Sequence, residues 1–239
     1  MKRPDDWTIL KLIQWTTTYF KQQGIESARI DAELLLAFAL GVQRIDLYLR
    51  FDQPLNPDEL ARFRSLVKRR AAREPVAYIT GTKEFWDLTL AVGPAVLIPR
   101  PETECLVEAV LDFFKTYTGS AEPVIMDLGT GSGAIALALA QSCPTARVMA
   151  VERSAEALAT ADRNRRRHGL ADRVHLVAGD WLAPFKVDRP LWDVIVSNPP
   201  YVRSDDTALE VLHREPRNAL DAGEDGLLRA EQRGSATVL

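Results

Sequence analysis

The sequence predicts an α/β protein: an open parallel sheet with helices on both faces, preceded by a small all-α N-terminal domain and a β-hairpin linker. Three observations carry this. From about residue 123, apolar runs alternate with helical patterns, as "PVIMDL", "GAIALALAQS", "ARVMAVE", "SAEALATADRNRRRHG", "RVHLVAGD" and "WDVIVSN", the texture of successive strand and helix units. Two of these runs, "VIMDL" and "DVIVS", are apolar on both faces, as strands buried from both sides are. Up to about Arg73, by contrast, apolar residues recur at helical spacing, as in Leu34, Leu35, Phe38 and Ala39, then Leu60, Phe63, Leu66 and Val67, without strand alternation.

Residues 1–74 therefore read as the helical domain. Its clearest helix start is "NPDE": Asn56 can cap, Pro57 suits the first turn, and Glu59 stands at the reciprocal position of a capping box. Residues 75–100, within "PVAYITGTKEFWDLTLAVGPAVLIPRPETE", are rich in β-branched and aromatic residues and punctuated by glycine and proline, and read as a β-hairpin linker. Residues 101–239 begin with a helix from about Glu102 to Tyr117 and continue into the sheet. The cluster "RNRRRHG" reads as the solvated end of a helix, its cations near the C-terminal carbonyls.

Composition narrows the function classes. With 239 residues, 46% hydrophobic, the chain can bury a sizeable core. Lys+Arg 30 against Asp+Glu 33 gives a net charge of −3, which supplies no global basic field for a polyanion, so direct nucleic-acid binding is not expected. Cys105 and Cys143 lack metal-ligand spacing and are expected to be buried small hydrophobes in a reducing compartment; no metal site is expected. "MKRPDDWTILKLIQW" lacks the unbroken apolar region of a signal peptide, and no run of about 18 apolar residues occurs. A cytoplasmic protein with no membrane partner is the expectation.

Between the first sheet strand and its helix lies "DLGTGSGA". Its residues Asp127, Gly129, Thr130, Gly131, Ser132 and Gly133 form a candidate cofactor loop: the glycines permit a tight turn and close approach, and the following helix N-terminus offers N–H groups. Gly129, Gly131 and Ala134 also fit a dinucleotide pattern. Asp127, however, would repel a pyrophosphate, whereas the ammonium of S-adenosylmethionine would be tolerated or bound through water. Glu152, 23 residues after Gly129, is placed to accept ribose hydroxyls, and equally fits an acid preceding a helix. Asp180 and Trp181 in "GDWL" fit an adenine amino group and ring face; the tryptophan equally fits core packing.

The fourth sheet strand brings "NPPY", Asn198, Pro199, Pro200 and Tyr201, to the same carboxyl edge. Leaving the Asn198 amide unpaired in a cleft would cost roughly 1 to 3 kcal/mol, which argues for a bound partner. A planar NH₂ group suits it. The Asn198 carbonyl and the Pro199 backbone carbonyl can each accept one hydrogen, turning the nitrogen lone pair toward a sulfonium methyl, while Tyr201 stacks on the flat group and proline rigidity fixes the acceptors. No general base is required, consistent with three histidines, His168, His175 and His213, none adjacent to a motif.

"DLGTGSG" with "SNPPY", preceded by "EFWDLTLAVGPAVLIPRPETE" and followed by "EPRNALDAGEDGL", resembles the peptide chain release factor glutamine N5-methyltransferases over nearly the whole chain. The resemblance implies a Rossmann-like S-adenosylmethionine-dependent methyltransferase sheet, a substrate-recognition role for the helical domain, and S-adenosylmethionine as cofactor. It also implies class-1 release factors as partners, methylated on the glutamine of their Gly-Gly-Gln loop. "NPPY" is shared with DNA adenine-N6 methyltransferases, whose target-recognition region and basic cleft are not found. Pro101 stands where ribosomal-protein glutamine methyltransferases typically have serine, and the resemblance implies that the Arg100 to Glu104 segment approaches the cofactor site, although Pro101 and Glu102 are also an ordinary helix start. An NAD-dependent oxidoreductase fits the glycines but leaves "NPPY" unexplained. After "GEDGL" the family continues with a helix and three strands, whereas this chain has "LRAEQRGSATVL". The expectation is that C-terminal strands are missing, that Val194, Ile195 and Val196 form an exposed apolar edge, and that a catalytically inactive truncated form is one alternative.

Overall fold

The computed structural model describes residues 7–185, 192–207, 209 and 214–223, and the chain separates after Thr80 into two compact units. The tail after Gly223, including "LRAEQRGSATVL", and His213 lie outside the described residues.

The first unit is helical: α1 (Ile9–Gln22), α2 (Ala28–Leu40), α3 (Arg44–Leu49), α4 (Pro57–Ala71) and α5 (Val76–Thr80). The capping box forms at α4, where Asn56 Oδ1 accepts from the Glu59 amide at 2.9 Å and Glu59 Oε2 accepts from the Asn56 amide at 2.8 Å. Its core gathers Phe20, Leu35, Leu36, Leu47 and Phe63, all essentially without solvent contact. Leu35 and Ala39 of the apolar set on α2 turn inward, while Leu34 and Phe38 remain exposed. Glu33 is buried inside this unit. Arg29, Arg44 and Tyr48 all bond its carboxylate, and together they hold it below the usual glutamate range although burial alone pushes it up.

The second unit opens with an antiparallel hairpin of β1 (Thr82–Phe85) and β2 (Leu88–Ala91). Trp86 occupies its turn at a φ of 53°. A 3-10 turn at Pro101–Thr103 leads into α6 (Glu104–Thr116). Then come β3 (Val124–Leu128), α7 (Ala134–Ser142), β4 (Arg147–Glu152), α8 (Ala155–Arg167), β5 (Val174–Ala178) and β6 (Val194–Ser197). The four sheet strands run parallel, as the alternating pattern predicts, in the order β5-β4-β3-β6. The connections from β3 go to one side while β6 pairs on the other. The crevice at the carboxyl ends of β3 and β6 is thus the switch point at which open α/β sheets bind ligands.

Strand alternation separates two apolar layers. Ile125, Val194 and Val196 face the cluster that holds α7, whereas Met126, Leu128 and Ile195 face a second cluster with Trp181, Phe185 and Trp192 packed against it. Val194, Ile195 and Val196 are 5%, 1% and 0% exposed, which corrects the expected exposure of these side chains, covered on both faces of the sheet, while among the described residues β6 is the edge strand of the sheet, as expected. Cys105 is a second correction, since it stands exposed on α6. It falls on the solvent side of a helix whose inward positions are Val107 and Val110.

Candidate active site

One cleft at the carboxyl edge of the sheet collects most of the expected residues. Gly129, Gly131, Glu152, Asp180, Trp181, Asn198, Pro199 and Pro200 line it, joined by Ala95, Val96, Leu97, Arg153, Asn218 and Ala219. Asp127, Thr130, Ser132 and Gly133 are buried beneath the loop and do not line it. Tyr201 is 67% exposed and lies outside the lining. Trp181 both lines the cleft and packs on the sheet. His168 and His175 do not line it. Among the described residues no three His, Cys, Asp or Glu side chains converge to hold a metal.

The loop is wound by left-handed glycines, with φ of 75°, 56° and 86° at Gly129, Gly131 and Gly133. At the first two an added Cβ would meet nothing within 4 Å, so backbone conformation and not crowding demands glycine there. The amides of the loop itself are largely in use. Those of Gly129 and Thr130 donate to the Val151 carbonyl, at 2.9 and 3.0 Å, and that of Gly133 donates to the Thr130 carbonyl at 2.8 Å. The Gly131 amide donates to Glu152 Oε2 at 3.0 Å. A pyrophosphate needs such amides free. Here it would meet a loop with four of them occupied and two carboxylates close by, which disfavours the dinucleotide reading.

Glu152 closes β4 and also accepts, through Oε1, the amides of Arg153 at 2.8 Å and Ser154 at 2.9 Å. Three of about four lone-pair positions are thereby filled, leaving room for one further donor such as a ribose hydroxyl. Asp127 sits on the α7 side of β3. Its Oδ2 accepts from the Thr130 hydroxyl at 2.6 Å and the Ala136 amide at 3.2 Å. Among the described residues Oδ1 has no partner although the side chain is buried. Burial pushes the carboxyl up to about 6, against the Thr130 and Ala136 bonds that hold it down, and the Glu152 charge adds to the rise. An orphaned acceptor beneath the loop and an acid with one open position at the end of β4 fit a nucleoside carrying a cationic amine.

The "NPPY" segment follows β6 directly. Asn198 Nδ2 donates to Thr103 Oγ1 at 3.1 Å, which commits the NH₂ edge of that amide and leaves its carbonyl as the acceptor. Thr103 is 8% exposed. The chain before it is clamped by buried Glu215, whose Oε2 accepts from the Ile98 amide at 3.0 Å and whose Oε1 pairs with Arg100 Nη2 at 2.5 Å. The chain after it is fixed by Glu104 Oε1, which accepts from the Trp86 amide at 2.9 Å.

Sequence reasoning missed three residues that build this site. Thr103 lay inside the Arg100 to Glu104 segment, which the resemblance brings near the cofactor site, but no role is assigned to it there. Glu215 lay inside "EPRNAL", where a glutamate beside two arginines looks like surface. Asn164 lay inside the charge cluster "RNRRRHG", and its signal was a lone amide on the inward stripe of α8 beside Ala157, Thr160 and Ala161.

A glycine loop after the first strand of a parallel sheet, an acid after the second, and an Asn-Pro-Pro turn after the fourth, all on one cleft, define an S-adenosylmethionine-dependent methyltransferase. Residues 106–226 match the Methyltransferase small domain family, and residues 11–81 match the PrmC N-terminal domain. The chain is 48% identical to the release factor glutamine methyltransferase of Geobacter sulfurreducens, over 95% of this chain and 78% of that protein. It is 44% identical to the enzyme of the same name from Rhodopirellula baltica, over 92% of this chain and 75% of that one. The chain belongs to the release factor glutamine methyltransferase family, and S-adenosylmethionine is its methyl donor. Among the described residues no helix is long and apolar enough to cross a membrane.

Proposed function

We propose that this chain methylates the side-chain amide nitrogen, N5, of the glutamine in the Gly-Gly-Gln loop of class-1 peptide chain release factors. The observation that carries the residue assignment is that Asn198 and Pro199 share one cleft with Glu152, Asp180 and Trp181, so an amide-holding turn and a nucleoside subsite open on the same space. Family membership supports the release factor as acceptor.

S-adenosylmethionine, bound there, supplies an electrophilic methyl group on a positively charged sulfur. Gly129 and Gly131 let the backbone lie close to it, Glu152 accepts from its ribose, Asp180 and Trp181 take the adenine, and Asp127 beneath the loop offsets its ammonium. The Asn198 carbonyl and the Pro199 backbone carbonyl each accept one N–H of the glutamine amide. An amide nitrogen is a poor nucleophile because its lone pair is delocalised into the carbonyl; two acceptors on its hydrogens push electron density back onto nitrogen and stabilise the positive charge that grows there. Proline on both sides of the Pro199 carbonyl's peptide unit restricts φ, so the acceptors are aligned before the substrate arrives. Tyr201, exposed beside the cleft, covers the amide once the loop of the partner docks. The surplus proton leaves to water after transfer, and no histidine is asked to take it.

The reading places the protein in the cytoplasm, with a protein partner, no membrane and no direct nucleic-acid contact. Transfer of labelled methyl from S-adenosylmethionine to a purified release factor tests it, with a copy whose loop glutamine is replaced as the control. Labelling of the intact factor and none of the copy is the expected result. Labelling of adenine-containing DNA, or equal labelling of both factors, would overturn it.

A further inference from the structure

We infer that Thr103 is a positioning residue for methyl transfer, its hydroxyl holding the Asn198 amide with the carbonyl edge presented to the acceptor nitrogen. The inference rests on the proposed role of Asn198 and goes one step behind it. A side-chain amide is nearly symmetric in shape and opposite in hydrogen-bonding sense at its two edges. The terminal torsion of asparagine is broad and roughly two-fold. An unrestrained Asn198 would therefore spend time rotated out of line with the acceptor nitrogen or with its NH₂ group toward the NH₂ of the substrate, and neither arrangement activates anything; a hydroxyl, donor as well as acceptor, acts by pinning one edge of the amide and so limiting that rotation.

The structure supplies a restraint. The Asn198 NH₂ edge donates to Thr103 Oγ1 at 3.1 Å across 95 residues of sequence. Thr103 itself is buried, and its amide donates to the Arg100 carbonyl at 3.0 Å within the 3-10 turn. The turn cannot drift. Glu215 grips Ile98 and Arg100 on one side of it, and Glu104 grips the hairpin turn at Trp86 on the other. Glu215 is 7% exposed with both carboxylate oxygens engaged, and Asn218 and Ala219, a few positions further on, line the cleft. Beyond them the backbone of Leu220 and Ala222 pairs with Val202, just after the Asn-Pro-Pro turn, so the segment before α6 and the chain leaving that turn are held to the same stretch. Among the described residues the side-chain hydrogen bond from the segment before α6 to Asn198 is the one to the Thr103 hydroxyl. Threonine suits the task because its β-branch limits χ1, so the oxygen stays where the turn puts it.

Four variants of the full chain test this in the labelled-methyl assay: Thr103→Val, Thr103→Ser, Asn198→Ala and the double variant Thr103→Val with Asn198→Ala. Thr103→Val keeps the shape and removes the oxygen. It is expected to lower kcat about tenfold, the scale of a lost orienting hydrogen bond, with the Kd for S-adenosylmethionine and the melting temperature close to those of the parent. Thr103→Ser should recover most of the rate. The double variant should be no slower than Asn198→Ala alone, because a restraint on an absent amide has nothing to restrain. If Asn198→Ala is slow while Thr103→Val turns over normally, this inference fails and the role of Asn198 stands. If Asn198→Ala itself turns over normally, the role of Asn198 fails and this inference with it. Additive losses in the double variant, or a serine variant as slow as the valine one, would assign Thr103 to structure alone and overturn the inference. Should Thr103→Val not fold, the serine variant and the cycle built with Thr103→Ala give the same comparison.

Discussion

Asn164 and Ser132 are joined by a hydrogen bond of 2.8 Å, from the buried Asn164 Nδ2 on α8 to the Ser132 carbonyl in the glycine loop. The same amide reaches β2, donating to the Ala91 carbonyl at 3.0 Å and accepting the Ala91 amide at 2.7 Å. One fully buried side chain therefore satisfies three backbone groups that belong to two different segments, and ties the cofactor loop to the hairpin. A loop wound by three left-handed glycines has little stiffness of its own. Its shape is held from behind.

Replacing Asn164 with leucine would keep the volume and leave those three backbone groups without partners. Each unsatisfied buried group costs roughly 1 to 3 kcal/mol, partly relieved by local movement, so a loss of about 3 kcal/mol in unfolding free energy is expected for Asn164→Leu. Urea denaturation measures it. The Kd for S-adenosylmethionine should also rise, because the loop loses its anchor. A loss below about 1 kcal/mol with unchanged cofactor affinity would show that the loop keeps its shape without the amide.

Much of this site was legible in the sequence, and the legible part has a common cause. Helical periodicity, apolar strands, glycines at a strand end and the Asn-Pro-Pro turn are all local patterns, and the alternation of strands with helices makes the sheet parallel. The unread part is made of pairs distant in sequence: Thr103 with Asn198, Glu215 with Ile98 and Arg100, Asn164 with Ala91 and Ser132. No local pattern distinguishes a threonine that begins a helix from one that also holds an amide 95 positions away. The engagement of the loop amides is unread for a related reason. Glycines announce freedom of the backbone but not whether the Val151 carbonyl and the Glu152 carboxylate have already taken the N–H groups.

Asn198→Ala should lower turnover by about a hundredfold or more, the scale of removing one preorganised polar contact to developing charge. Because Asn198 is assigned to the acceptor and not to the nucleoside, the Kd for S-adenosylmethionine should change little. Single-turnover methyl transfer together with calorimetric titration separates the two quantities. A variant with a normal rate would take the amide out of the mechanism.

Glu152→Ala should weaken S-adenosylmethionine binding by about 1.5 to 3 kcal/mol, as charge-assisted bonds to ribose and to the Gly131 amide are lost together. Since the loop amides are already engaged, NAD at stoichiometric concentration should not displace S-adenosylmethionine from the parent protein. Competition titrations decide it; displacement by NAD would mean that the loop opens its amides to a pyrophosphate.

Asp127 makes both stability and cofactor affinity depend on pH, in opposite directions. Its folded pKa, raised by burial to about 6, exceeds the value of about 3.9 for an unperturbed aspartate. Between roughly pH 4 and 6 the native state therefore holds a proton that the unfolded chain has released. Stability contributed by this group is present below the unfolded pKa and declines as pH rises through that window, then levels off above it. S-adenosylmethionine brings an ammonium whose charge, acting through the loop on the buried carboxylate, favours the ionised form. With a pKa of about 6 the carboxyl in the empty site is about one-tenth ionised at pH 5 and about nine-tenths at pH 7, so affinity for S-adenosylmethionine should rise about tenfold between those values. Asp127→Asn should remove both slopes: unfolding free energy loses its decline from pH 4 to 6, and cofactor affinity becomes flat and weaker than that of the parent at pH 7. Chemical denaturation and calorimetry across pH 4 to 8 read both curves. A parent protein whose cofactor affinity does not change between pH 5 and 7 would show that the ammonium is met by some other group.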